Sequence, residues 1–135
     1  MDERRQTSLP GVFACGNVLH VHDLVDNVSN EAELAGSSAA QYAQNPAPIR
    51  EALRVVAEGG VRYTVPQRLS AAANGKVDLY FRVGAVYKAA TLLVRSGEKE
   101  LLRRKKPIMT PGEMEKVTVD VTGLTDDVHL TIVEG

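Results

Sequence analysis

Asp78-Leu79-Tyr80-Phe81-Arg82-Val83 decides the fold. Side chains of an extended chain alternate between two faces, so Leu79, Phe81 and Val83 share one face while Asp78, Tyr80 and Arg82 share the other. That is the pattern of a half-buried strand. The same period recurs on both sides of it. Upstream, Leu53-Arg54-Val55-Val56-Ala57 fits either the end of a short helix from Ile49 or a strand, and the strand is favoured because Glu58-Gly59-Gly60 reads as a turn and Val61-Arg62-Tyr63-Thr64-Val65 alternates clearly. Downstream come Ala90–Val94, a turn at Ser96-Gly97-Glu98, then Leu101–Lys105. Val117, Val119 and Val121 alternate with Thr118, Asp120 and Thr122, and Val128, Leu130 and Ile132 follow. Short strands spaced by about 8–12 residues predict a seven-stranded antiparallel β-sandwich over residues 53–135. Without a Cys…Trp…Cys pattern, Ig/fibronectin-like describes its shape alone.

Residues 1–45 have a different character. Val12-Phe13-Ala14-Cys15 lies between the turn signals Pro10-Gly11 and Gly16-Asn17, and reads as a short buried strand. Val25, Val28, Ala32, Ala35, Ala39 and Tyr42 then recur at steps of three and four, which predicts a helix. Asp23 or Asp26 is placed to cap it. The small residues Ala32, Ala35, Gly36 and Ala39 suggest close approach to another backbone. Asn45-Pro46-Ala47-Pro48 ends the helix. The expected organisation is α+β: a strand–loop–helix unit over 1–45, a linker over 46–52, and the sandwich over 53–135.

The chain has 135 residues and a formal net charge of −1, so bulk electrostatics give no case for nucleic acid or an anionic membrane. Aromatic residues make up 4% with no Trp, so the core must rest on Val, Leu, Ile and Ala. The single cysteine, Cys15, excludes an internal disulfide and a C-x-x-C pair, and reads as a buried, inert thiol. No apolar run approaches the ~20 residues that span a bilayer. The opening Met1-Asp2-Glu3-Arg4-Arg5-Gln6 lacks a signal-peptide pattern, and a cytoplasmic location is expected.

Thr7-Ser8-Leu9-Pro10-Gly11-Val12-Phe13-Ala14-Cys15-Gly16-Asn17 resembles the second flavin-contacting motif of FAD-dependent pyridine nucleotide-disulfide oxidoreductases of the thioredoxin-reductase-like class, T-S-x-P-G-[VI]-F-A-x-G-[DN]. The resemblance runs over residues 2–43, and residues 49–135 resemble the β-rich tail of some bacterial members. It implies that residues 1–45 are a strand–loop–helix remnant of an FAD-binding α/β domain. Gly16, lacking a Cβ, would let the backbone approach the flavin chain. Asn17, an acid in many relatives, would accept or donate at the ribitol or pyrophosphate. His22, Asp23, Leu24 and Val25 would lie on the isoalloxazine side, with the helix N-terminus favouring negative charge there. The family's first motif, G-x-G-x-x-G, does not occur in these 135 residues, so the resemblance implies that most of the enzyme lies elsewhere. FAD is thus expected in the full-length context and not in this chain alone.

Other clusters have blander readings. His20-Val21-His22-Asp23 with Asp26 contains metal-ligand types, but a third ligand with suitable geometry is not evident, and no metal site is expected. Arg103-Arg104-Lys105-Lys106 points to alternate faces without aromatic neighbours, which fits a charge-protected edge strand better than nucleic-acid binding. Two functional readings remain. One is the C-terminal portion of an FAD-dependent NAD(P)H oxidoreductase, inactive alone, whose partners are the missing FAD and NAD(P) domains. The other is a non-enzymatic β-sandwich that docks an oxidoreductase subunit. In either, the orphaned helix is expected to support a homodimer.

Overall fold

A computed structural model describes residues 1–19, 25–46, 51–70 and 73–134. Strands account for 49% of the chain, and one α-helix accompanies them. After a 3₁₀ turn, η1 (Gly16–Val18), come the helix α1 (Val25–Gln44) and eight strands. These are β1 (Glu51–Ala57), β2 (Val61–Val65), β3 (Arg68–Ser70), β4 (Lys76–Val83), β5 (Tyr87–Ser96), β6 (Lys99–Met109), β7 (Glu115–Asp120) and β8 (Val128–Glu134).

The strands form two sheets, β3-β1-β8-β5-β6 and β2-β4-β7. Their facing sides share one core. Val55, Leu92, Val94 and Leu130 come from the larger sheet, and Leu79, Phe81, Val117 and Val119 from the smaller. The α+β class is as expected, but two details of the sandwich differ. The described residues form eight strands rather than seven, because Arg68-Leu69-Ser70 pairs with β1. The arrangement is also not wholly antiparallel: β1 runs parallel to β8, with Val55 opposite Val128 and Ala57 opposite Leu130. Parallel pairing is possible because these strands are separated by almost the whole sandwich, which leaves ample chain for the crossover.

β4 is buried on both sides at its centre. Leu79 and Phe81 enter the common core, as their alternation predicts. Tyr80, on the opposite face, is also buried, in a second cluster with Met1 and Val65 and flanked by Leu19, Tyr63 and Met114. The N-terminal segment therefore covers part of the outer face of the small sheet. Its backbone is tied to β3: the Gln67 and Arg68 N–H groups donate to the Met1 carbonyl, both at 3.2 Å. Glu3 accepts from the Ser70 N–H at 3.1 Å and from the Ser70 hydroxyl.

β6 is an edge strand, in keeping with its charge. Arg103, Arg104 and Lys105 are exposed, while Lys106 reaches Glu115 of β7 at 3.1 Å. Pro107, within β6, is tolerated because an edge strand need not donate on both sides.

Phe81 is 1% exposed at the centre of the shared core. Phe81→Ala is expected to lower the unfolding free energy by about 3–5 kcal/mol, read by urea denaturation. A loss below about 1 kcal/mol would mean that the sheets do not close on this ring.

Candidate functional site

Thr7 to Asn17 forms a tight hairpin that leads into a loop. The Thr7 N–H donates to the Val12 carbonyl at 2.8 Å, the Thr7 hydroxyl donates to the same oxygen at 2.9 Å, and the Val12 N–H donates to Leu9 at 3.2 Å. Gly11 sits at φ +79°, where a Cβ would also stand 2.8 Å from Tyr42 Cε1. That close approach lets α1 meet the hairpin, and Phe13 packs edge-on against Tyr42 with centroids 6.1 Å apart.

The buried strand expected at Val12–Cys15 is not formed. The segment makes one bridge, Gln6 to Phe13, and the Ala14 N–H donates to the Arg5 carbonyl at 2.9 Å. Leu9 and Val12 stay 65% and 47% exposed. A hairpin folded on its own turn has one strand neighbour, and one neighbour cannot bury both faces. Cys15 is half-buried rather than buried.

Gly16, at φ +74°, opens η1, which closes with the Leu19 N–H donating to the Gly16 carbonyl at 3.0 Å. The Gly16 N–H points the other way and donates to Glu31 Oε1 at 2.7 Å. The second carboxylate oxygen of Glu31 accepts from Arg5 Nε at 3.3 Å. Both side chains are sealed, at 3% and 1% exposure. The Arg5 guanidinium lies 6.0 Å from the Tyr80 ring centroid, at the outer limit of a cation–π contact. The N-terminal segment, the loop, the helix and β4 thus meet at one buried charge pair.

This pair turns the helix away from its expected face. Glu31, Ala35 and Ser38 are buried, and Ala39 and Tyr42 are half-buried. Ala32 and Gly36, expected at a close backbone contact, are exposed, and a Cβ at Gly36 would meet nothing within 4 Å. Burial of a carboxylate that already has two donors outweighs burial of another alanine, because breaking the pair would strand a charge.

Of the residues singled out from the sequence, Gly16 and Asn17 fall in η1 and Val25 is the first residue of α1. His22, Asp23 and Leu24, like His20, lie outside the described residues. No cluster of metal-ligating side chains occurs among the described residues. Arg5, Glu31 and Tyr80 were not legible as a site, because charged residues 26 positions apart carry no periodic signal. The lead-in Asp2–Gln6, which runs unbroken into the motif, was the one hint. No family model matches the chain, and neither does any curated protein or solved structure. No described helix is long and apolar enough to cross a membrane.

Burial is the main reason that Tyr80 ionises above the ordinary tyrosine range. Asp78 and Glu31 push in the same direction, and Arg5 opposes them. A raised folded pKa means that the unfolded chain loses this proton first. The stability contribution is therefore complete below the unfolded tyrosine value of about 10 and is lost as pH rises above it. In an absorbance titration, one of the four tyrosines is expected to ionise late, and Tyr80→Phe to remove that late step. Four coincident titrations would contradict the buried placement.

Arg5→Met and Glu31→Met are each expected to destabilise the fold by about 3–5 kcal/mol, and the double variant by much less than the sum. Denaturation midpoints measure the cycle. Additive losses would mean that the two charges do not act on each other.

Proposed function

We propose that the chain is the C-terminal portion of an FAD-dependent NAD(P)H oxidoreductase of the thioredoxin-reductase-like class, with an Ig/fibronectin-like β-sandwich appended. The observation that carries this reading is the Thr7–Asn17 run: a Pro-Gly turn, a positive-φ Gly16 opening the loop, and a long helix starting at Val25. These are what that motif asks of its loop and helix, while the buried strand it implies at Val12–Cys15 is replaced by a hairpin arm with one bridge.

The residues present fit a cofactor contact. A Cβ at Gly16 would meet nothing within 4 Å, so this side of the loop is open to close approach. The Gly16 N–H is turned inward to Glu31, which holds the loop in place. In this reading Gly16 and Asn17 are the contacts to the flavin chain, and the resemblance assigns the ring side to His22, Asp23, Leu24 and Val25, the first three of which lie outside the described residues. The first N–H groups of α1 have no partner within the helix and favour negative charge next to them. Bound FAD would supply hydride acceptance from a nicotinamide; this chain supplies placement and field.

One exposed side of α1 carries Ala32, Gly36, Ala40 and Ala43, small residues that allow a backbone to come close. With Leu9, Val12 and Val18 also exposed in the hairpin and loop before the helix, we assign these surfaces to the FAD and NAD(P) domains; a homodimer through the same helix is the alternative partner. A site of which half is supplied elsewhere holds flavin poorly. Fluorescence titration is expected to show no saturable FAD binding below about 100 μM. Yellow protein with stoichiometric flavin and NADH-dependent bleaching would overturn the partial-site reading. The coding DNA upstream of Met1 tests the family itself. An in-frame or adjacent G-x-G-x-x-G domain is expected, and the lack of both would overturn the assignment.

A further inference from the structure

The charge of this chain is unevenly spread. The β5–β6 ribbon, residues 87–109, carries seven cations and two acids, a local net charge of +5 in a chain whose total is −1. β6 is also the longest strand, at 11 residues, and among the described residues it pairs with β5 alone. In an antiparallel pair alternate residues turn their backbone N–H and C=O groups away from the neighbour, so the far side of β6 is an open row of donors and acceptors.

The cations lie on both faces of this edge. Arg103 and Lys105 stand opposite Leu93 and Thr91, and Arg104 stands opposite the core residue Leu92, on the other face. All three are exposed. Arg104 and Lys105 have no ion-pair partner among the described residues, and Arg103 has an exposed bridge to Glu100 at 2.8 Å, of a kind that contributes little and exchanges readily. Lys106 is committed to Glu115.

These charges select what can pair here. A second copy offering its own β6 would set like charges opposite one another. The other three edge strands of the chain do not supply free acids either. β2 and β3 carry an arginine each and no acid, and β7 has Glu115 held by Lys106 and Asp120 capping its own turn at Thr122. A nucleic acid matches the charge but has no amide row to pair with the edge, and β6 has no aromatic side chain on which a base could stack.

We propose that residues 101–106 of β6 are a docking edge for an acidic, extended segment of another protein, which adds to the larger sheet as a sixth strand. Main-chain hydrogen bonds supply affinity in this mode and side chains supply specificity. Acids on both faces of the added strand would meet Arg103 and Lys105 on one side and Arg104 on the other. Pro107, which has no N–H, limits the pairing stretch. The edge is remote in sequence from the Thr7–Asn17 run, and its occupancy does not depend on the flavin reading.

Calorimetric titration of the full chain with a blocked decapeptide of glutamate and valine tests it. Saturable one-to-one binding is expected, with a Kd of roughly 10–100 μM, and amide exchange of residues 101–106 is expected to slow only in the complex. The same peptide methylated at alternate backbone nitrogens keeps its charge and loses its pairing, and is expected to bind at least about tenfold more weakly. Arg104→Gln with Lys105→Gln, at exposed positions, is expected to weaken the parent peptide about tenfold with an unchanged far-UV spectrum. No saturable binding below about 5 mM, or equal binding of the methylated peptide, overturns the proposal. Tighter binding of a single-stranded DNA of equal charge would overturn the peptide class, and concentration-dependent protection of the same amides in the free chain would give the edge to a second copy instead.

Discussion

A guanidinium and a carboxylate, both withdrawn from water, hold the parts of this molecule's first third to one another. Arg5 comes from the N-terminal segment and Glu31 from the second turn of α1, and the loop amide of Gly16 completes the carboxylate's coordination. Taking two ions out of water costs several kcal/mol each, and only good geometry with further hydrogen bonds offsets it. Here the further bonds come from the backbone of the loop itself. The consequence is geometric: helix, loop and N-terminal segment cannot move independently without exposing a charge to a low dielectric. A helix fixed by apolar contact alone could slide by a turn; one fixed by a two-oxygen acceptor has a single register.

That constraint also explains the shape of the region around β4. The N-terminal segment lies on Tyr80, and β3 and the residue before it donate to its Met1 carbonyl and Glu3 carboxylate. The helix is carried on this segment and not directly on the sheet, so the helix axis stands off and leaves a polar cavity beneath it.

Much of the sandwich was legible because its strands are half-buried, and period-two alternation reports that condition directly. Leu79, Phe81 and Val83 against Asp78 and Arg82 is one instance, and Val117 and Val119 against Thr118 and Asp120 another. β3 was not legible, since three residues with one apolar member leave no pattern, and its place comes from pairing with β1. The second burial of Tyr80 was hidden for the same reason: what covers it is distant in sequence. The helix was readable as a helix from its spacing of three and four, but its face was not. Hydropathy assigns Glu31 to solvent, and the partner that reverses that assignment is a charge 26 residues away. At the loop, Gly11 and Gly16 were readable because both stand at positive φ, a conformation that favours glycine. Arg5, which also adopts a positive φ at 69°, gave no such signal.

The place of β8 in its sheet has a consequence for how the chain is made. It is the final strand in sequence, yet it occupies the centre of the larger sheet, between β1 and β5. A nascent chain emerging from the ribosome holds β3-β1 and β5-β6 as two separate pairs, each with an unsatisfied edge, until residues 128–134 arrive to join them. Long-range joining of this kind is slow, and the waiting edges are exposed to wrong partners. Loss of residues 128–134 would accordingly not trim the sandwich; it would leave its larger sheet in two halves.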